Sequence, residues 1–544
     1  MTETLKDPRA EEAIRRWDEL KAARGQHEQD WEELARLIRP QRGGFVTADP
    51  SRHRDDKPLS SAPIIAQEYF ASGLYGTLTN PANRWMGVET NDDDLNAWGP
   101  AKLWLELVGN RILRSFAPGV STFYDAAIQT FGDISTFGNA AGYDEIVPGE
   151  QRIMDVTLSL AEVCFEIDAF GQVTEAVRKF GLTGRMAVRL FGPDAVPPKM
   201  LERATKGALD RVDFYHHVHL NMDWSRGKLG PRGKRWLSTY ACAEGCRVVR
   251  EGGYAEMPFY APRWEVDSGQ AYGRGPGMVA LPDARVLNLM DAANLRAGQK
   301  AADPTLLAPE RDAWATSGVV RPGEVIYGGV NMKGDPLLRP LDNFSGTGLT
   351  LEMAQARVEA IKDAFHWTLM QMVGRSGMTA TEVIERQEEK LRLMAPNMGR
   401  VQGEFLAPKA SRRFAILLRE GQIPPPPPEM AREGAALQVK YISAAAMAQR
   451  SAEGAAMARI VQDIAPLAEL KPRLLDRFDE DAYVELMVEA RGAPGRILRS
   501  REAADALSQQ RAQAEQAAMA MQAAQAAGGV AKDVASAAAM EGAA

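Results

Sequence analysis

The sequence predicts an α+β fold that is mainly α, and three observations carry that reading. Apolar residues recur at three- and four-residue steps through most of the chain, the signature of amphipathic helices. Two blocks, Tyr143 to Val177 and Phe214 to Glu251, switch to strand-like alternation. Met378 to Gly421 reads as one long helix interrupted by Pro396 and Pro408.

Taken in order, residues 9–40 read as helix broken near Gly25, with Ile14, Trp17 and Leu20, then Trp31, Leu34 and Ile38, on one face and Pro40 as the stop. A polar loop follows, and Ser60 to Leu78 is apolar and helix-compatible. Trp85 to Val88 resembles a short strand; Asn96 to Phe116 and Thr122 to Phe137 are further helices. Val156 to Leu160, Cys164 to Ile167 and Val173 to Val177 form a meander with one buried face. A helix from about Pro198 to Leu209 leads to strands at Phe214 to Leu220, Arg235 to Cys242 and Arg247 to Glu251. Tyr254 to Trp264 is loop or edge strand.

Asp283 to Ala301 is a helix behind the glycine-rich Tyr272–Gly277, which reads as a flexible joint. Thr305 to Phe344 is short strands and turns. Leu351 to Met372 is helical, with Leu351, Ala354, Val358, Ile361 and Phe365 on one stripe. Gln371 to Gly377 is a loop carrying Arg375. The long helix opens on a capping box, Thr379 with Glu382, and carries Leu391, Met394, Met398, Val401 and Phe405 as its stripe. Five prolines, Pro424 to Pro428, make a stiff spacer. Residues 441–490 read as helices, and the Ala-rich tail from Arg499 as helix that needs neighbours.

At 544 residues the chain can bury several cores. A composition 45% apolar and 25% charged is that of a soluble protein, and no run approaches the length of a membrane helix. The opening MTETLKDPRAEEAIRRW lacks the apolar core of a signal peptide, so the product is expected to stay where it is made. Three scattered cysteines, Cys164, Cys242 and Cys246, are no disulfide framework and suit a reducing compartment. A net charge of −7 argues against a surface that grips nucleic acid everywhere, but is compatible with letting DNA slide.

Few residues propose chemistry. His216, His217 and His219 lie near Cys242 and Cys246 in adjacent expected strands, but the Cys-x3-Cys spacing fits no usual zinc knuckle, so strand residues without a metal are the expectation. Gly227 to Arg235 has one residue too many for a phosphate loop and an arginine in place of its Ser/Thr; it reads as a β-turn with basic flanks. No nucleophile elbow, zincin or nucleotide-binding set occurs, so no catalytic residue, metal or cofactor is expected. Arg285, Arg296 and Lys300, eleven and four residues apart, share one helical face. That face is either solvated or a sparse set of charges beside a polyanion.

The order of these elements resembles the portal, or head–tail connector, proteins of short-tailed double-stranded DNA bacteriophages. The resemblance rests on Ile64–Leu74 with Leu78, Pro81 and Trp85, on Phe123–Tyr143, and on Tyr272–Pro276 with Leu281–Leu287. It rests further on Met378–Val383 through Gly399–Gln402 to Ile423–Pro424. No single motif is diagnostic; their order over residues 9–495 carries it. It implies a ring, typically of twelve subunits, at one capsid vertex of the virion, built from protein made in the host cytoplasm. Double-stranded DNA would pass through it in packaging and ejection, and the terminase large subunit and tail adaptor would dock on it, beside the major capsid and scaffolding proteins, with no membrane. It implies a wing or body at 1–270, stem helices at 271–301 and 348–370, and a clip at 302–347. A channel loop would fall at 371–378, the long kinked wing helix at 379–423, a crown at 424–494 and a C-terminal helix at 495–544. In that frame Arg285, Arg296, Lys300, Lys362 and Arg375 would meet DNA in the channel, and Arg321, Lys333 and Arg339 would serve the clip. The alternatives are a helical scaffold or capsid-associated protein without a channel, and an enzyme using the His/Cys group.

Overall fold

A computed structural model describes residues 7–45, 58–147, 152–302, 347–371 and 394–441, apart from positions 83, 226, 229, 231, 232 and 434–436. It also describes short pieces within 306–340 and 459–520. The chain divides into two compact units. One comprises residues 1–85 and 112–422, the other 86–111 and 423–544.

In the first unit, helix α1 (Pro8–Ala23) starts where Asp7 accepts from Arg9 N, and α2 (Gly25–Leu37) follows after one residue. That residue, Arg24, is buried. Its guanidinium lies 5.9 Å from the ring of Trp17 and 5.8 Å from that of Trp31, and donates to the carbonyls of Leu160 and Val163. The break near Gly25 is therefore fastened by a cation between two aromatic rings. Helix α3 spans Ala62–Leu78.

Strand β1 (Met86–Thr90) and helix α4 (Asp93–Ala97), capped by Asp92, belong to the second unit. Helix α5 (Gly99–Phe116) has residues in both. Helix α6 (Phe123–Phe137) is buried along almost its whole length and ends on Gly138 at φ 72°, a left-handed cap that favours glycine. Strands β2 (Ala141–Ile146) and β3 (Ile153–Leu158) form an antiparallel hairpin in which Asp144 sits opposite Asp155.

The expected meander is not one sheet: residues 156–158 belong to β3, paired with β2, while its other two strands join the 214–251 strands in a five-stranded antiparallel sheet. The members of that sheet are β4 (Val163–Ile167), β5 (Val173–Thr183), β6 (Arg211–Leu220), β7 (Trp236–Cys242) and β8 (Arg247–Tyr254), in that order. Between β5 and β6 run α7 (Gly184–Phe191) and α8 (Pro198–Lys206). The sheet is buried on both faces. On one, Ala10, Ala13 and Trp17 of α1 pack against Cys164, Val177, Tyr215 and Ala241. On the other, Ala187 and Met200 pack against Val212, Phe214, Cys242 and Val249. Full burial of each large side chain contributes roughly 1.5–3 kcal/mol. Strand β9 (Phe259–Tyr260) adds to β2 as an edge, as its proline-bearing sequence requires.

Helix α9 runs from Pro276 to Ala302, seven residues earlier than the sequence pattern marks; Pro282 lies inside it and removes the bond its N–H would have made to the Met278 carbonyl, and the helix continues through it. The glycines before it do not make a flexible joint. A Cβ on Gly275 would stand 2.5 Å from Gly138 N, and one on Gly277 2.4 Å from the Thr136 carbonyl oxygen. Asn139 also bonds both the carbonyl and the N–H of Gly273. These glycines are there for close backbone packing.

Strands β10 (Leu306–Leu307) and β11 (Arg339–Pro340) pair; helix α10 (Thr347–Ala364) and the short α11 (Trp367–Gln371) follow. The described part of the long helix begins as α12 (394–401). The capping box at Thr379 lies outside the described residues. Met394, Met398, Val401 and Phe405 are buried, as their spacing requires. A π turn, Gln402–Leu406, then leads into α13 (Ala407–Arg419). Pro408 has no N–H, and in a regular α-helix its ring would press on the Glu404 carbonyl; the wider π turn relieves that crowding. In the second unit, α14 (Pro428–Glu433) follows the proline run, and β12 (Leu437–Tyr441) pairs antiparallel with β1.

Candidate functional site

Two long helices, α9 and α10, form the element on which most of the sequence-derived site residues fall. They run antiparallel: Thr350 Oγ1 donates to Asn294 Oδ1 at 2.8 Å, and further along Arg357 donates to Asp283 Oδ1 at 2.8 Å. Ala280, Ala284 and Leu287 of α9 are buried, as are Ala354 and Ile361 of α10 and Phe365 beyond it. Small residues on α9 allow the close approach. Helix α3 supports the pair. Phe365 lies 6.3 Å from Phe70, and Met370 fills the space over Gly73, where a Cβ would sit 2.4 Å from its sulfur.

The outward face of α9 is unlike a simple solvated helix. Val279, Pro282, Val286, Leu289, Ala293, Arg296 and Lys300 follow each other at three- and four-residue steps, and all are exposed. The first five are apolar and the last two basic. Arg296 and Lys300 thus share this stripe. Arg285, eleven residues before Arg296 and so on the same side of the helix, differs in being paired: it donates to Glu33 of α2 at 2.8 Å, which raises its own pKa and lowers that of Glu33. Lys362 bonds Glu359, one turn back on α10. Lys333 is exposed in a turn whose backbone is held by Asn331. Arg339 lies in β11, and its side chain is outside the described residues, as are Arg321 and Arg375 altogether.

The His/Cys group does not converge. His217 and His219 share a face of β6, with rings 4.7 Å apart. Cys242, in register with Phe214, packs on the opposite face with Val212 and Met200. His216 stacks 3.8 Å above Tyr240 and bonds Ser238. Burial holds its pKa well below 6.5 and pushes the Cys164 and Cys242 thiols up to about 11. Among the described residues no group of His, Cys, Asp and Glu could hold a metal. Strand alternation separates these side chains.

The sequence reading missed a buried ionic system on α13. Lys409, Arg412, Arg413, Ile416 and Leu417 occupy one i, i+3, i+4, i+7, i+8 face, and all five are buried. Lys409 and Arg413 both pair with Asp155, which also accepts from Ser121 Oγ at 2.7 Å. Arg412 donates to Asp144 Oδ1 at 2.9 Å, and Arg419 binds Glu256 with both guanidinium nitrogens. Lys409 also lies 4.1 Å from the Tyr260 ring centre. Burial alone would raise the pKa of Asp155, but Lys409 and Arg413 outweigh it and hold the carboxyl below 3.8. Cations at core positions of a helical pattern were the available signal.

The described residues define a mixed helix-and-sheet protein whose charged groups are largely engaged in packing, as the α13 ion pairs are. Residues 10–498 match the family described as bacteriophage head to tail connecting protein, and the chain belongs to that family. It is 28% identical over 539 residues to the portal protein of Salmonella phage epsilon15, covering 97% of this chain and 95% of that protein. It is also 28% identical over 515 residues to the probable portal protein of Bordetella phage BPP-1, covering 93% and 91%. Among solved structures, the neck of an empty GTA particle computed with C6 symmetry covers 86% of this chain and 94% of that one. There the identity is 13% and the TM-score 0.38. Among the described residues no helix is long and apolar enough to cross a membrane.

Proposed function

We propose that this chain is the subunit of a portal ring, of twelve copies, at one capsid vertex of the virion. Double-stranded DNA passes through the ring during packaging and ejection, and the ring docks the terminase large subunit, the tail adaptor and the capsid and scaffolding proteins. The chain itself does no catalysis. One observation carries this reading beyond family membership: the outward stripe of α9 is apolar for five positions and basic for two. A lone subunit leaves that apolar stretch uncovered, whereas neighbours in a ring would cover it. The basic end would then meet phosphates sparsely, so that DNA is not held; each phosphate neutralised adds about 0.9 to the salt slope of binding.

In this reading α9 and α10 are the stem, residues 302–347 the clip and 371–378 the channel loop. Residues 379–423 are the long wing helix and 424–494 the crown. Negative-stain images of the purified protein test the ring. Particles with a central hole support it, and solid or monomeric particles refute it in favour of a scaffold. Charge reversal at Lys362 and Arg375 tests the channel: unchanged packaging and DNA retention would remove those residues from it. Pro396→Ala should alter packaging while rings still assemble, if the long helix transmits movement of the channel loop.

A further inference from the structure

The hairpin connection between β6 and β7 carries a feature that neither the fold nor the stem requires. Residues 221–235 read NMDWSRGKLGPRGKR: five cations and one carboxylate, a net +4 within a chain of −7. Most basic side chains of the first unit are paired; Arg9, Arg16, Arg39, Arg42, Arg263 and Arg412 each meet a carboxylate. Lys228, Lys234 and Arg235 are exposed and, among the described residues, make no ion pair. Arg211, Arg247, Arg296 and Lys300 are likewise exposed and make no ion pair among the described residues, but they lie on regular strands and a helix, whereas these three share one short loop.

The connection is a built structure. Asn221 N donates to the Arg235 carbonyl at 2.9 Å and its side chain to the Lys234 carbonyl at 2.9 Å, closing the base of the loop. Asp223 N donates to Asn221 Oδ1 and Trp224 N to the Asn221 carbonyl, a tight turn that turns Trp224 outward, 46% exposed. Gly227 and Gly230 sit at φ 85° and 74°, where glycine is favoured, and a Cβ on Gly233 would clash with the Lys228 carbonyl at 1.8 Å. The glycines bring the lysine-bearing strands of the loop close together.

We propose that this hairpin binds the phosphodiester backbone of a nucleic acid, at a site separate from the α9 and α10 cations. Unpaired cations on a glycine-rich loop neutralise successive phosphates, and a half-exposed indole offers a face for a sugar or an unpaired base. A protein partner fits less well. Met222 and Trp224 are the large apolar side chains the described loop exposes, too little for an interface of roughly 1,200 Å² or more.

The test uses the purified full-length chain and fluorescence polarisation with a labelled 30-base-pair duplex and a 30-nucleotide single strand, from about 50 to 300 mM salt. The triple variant Lys228→Gln, Lys234→Gln, Arg235→Gln should flatten the log–log salt slope by about 2.7 for duplex, three cations at about 0.9 each, and by about 2.1 for single strand. Lys228→Arg with Lys234→Arg should keep the slope. Trp224→Ala should weaken the single strand more than the duplex and leave both slopes alone, which identifies the source of the backbone. Equal affinity and slope for the triple variant and the parent overturn the proposal. So does retention of a polyglutamate peptide, rather than either nucleic acid, by the intact loop, which would make the partner an acidic protein. Ring imaging of the same samples is independent: a chain that forms no rings but binds through the loop defeats the portal reading and leaves this one standing.

Discussion

Asp155→Asn is the sharpest test of how the first unit holds together. The carboxylate has no exposed surface and faces Lys409 and Arg413, whose side chains are 2% and 1% exposed. Asparagine keeps the shape and an acceptor for Ser121 but removes the charge that, among the described residues, both cations contact directly. Breaking a buried pair by removing one partner typically costs about 3–5 kcal/mol, because the remaining ion stays buried without compensation. Two cations depend on this one carboxylate, so the upper half of that range is expected, a loss of up to about 5 kcal/mol.

The assay is urea unfolding followed by tryptophan fluorescence, since Trp85 packs 5.9 Å from Phe123 beside this cluster. Lys409→Met in the Asp155→Asn background should recover part of the loss, a coupling of at least about 0.5–3 kcal/mol in the double-mutant cycle. A loss below about 1 kcal/mol for Asp155→Asn, or strictly additive effects, would refute the reasoning. The sign with pH is fixed. Asp155 has its pKa depressed, so its contribution is complete above the unfolded value of about 3.9 and disappears as pH falls through the lower folded value. Lys409 has its pKa raised, so its contribution disappears only as pH rises past its folded value above 10.5. Neither group makes stability vary between about pH 5 and 9.

His216 should do so instead. Buried and held neutral, it is protonated only on unfolding below about pH 6.5. Stability should therefore fall with pH from about 6.5 to 5 by up to about 2 kcal/mol, and His216→Gln should flatten that slope in urea midpoints. Glu175→Gln should cost about 2–3 kcal/mol at pH 7, since Glu175 accepts from His217 at 2.6 Å and Arg16 at 2.7 Å. Burial pushes its carboxyl up, but these bonds outweigh it and lower its pKa, so the contribution is complete above about pH 4.5 and should decline progressively as pH falls below that toward the lower folded value. Gly275→Ala should lose about 1–3 kcal/mol, since its Cβ would meet backbone on Gly138. Gly298→Ala, with nothing within 4 Å in mid-helix, should gain about 0.5–1 kcal/mol in the same measurement. Arg285→Ala should change stability by less than about 1 kcal/mol, because its pair with Glu33 is exposed.

Periodicity made most helices and the individual strands legible, because each is a local pattern; how the strands group into two sheets, and that the larger is buried on both faces, was not. Trp17, Trp31, Phe405 and the β5–β6 alternation were placed by spacing alone. The pairing of β1 with β12 was not, since some 350 residues separate two five-residue strands and nothing local records the partner. The glycine run before α9 was misread for a related reason. A glycine that gives freedom and one that gives room look alike in sequence, and only Gly138 and Thr136 against it show which it is. The α9 cations divided in the same way: a shared face was computable from spacing, but Glu33 opposite Arg285 came from a helix some 250 residues away.

The ionic system on α13 explains why a helix would place three cations where its pattern calls for apolar residues. Asp144 and Asp155 lie directly opposite each other in the β2–β3 pair and on the same face, an arrangement that is repulsive on its own. Both carboxylates are buried. Arg412 answers one, Lys409 and Arg413 the other, so the hairpin's register and the helix's register satisfy each other. Sliding α13 by one turn would leave two carboxylates and three cations buried without partners, whereas an apolar helix face would tolerate the slip. We infer that these cations select one docking position rather than adding stability; replacing Lys409, Arg412, Arg413, Asp144 and Asp155 together by apolar residues should then keep or raise the urea midpoint while broadening the set of packings seen by NMR. Because the π turn and Pro408 stand immediately before them, the position of α13 also sets that of α12.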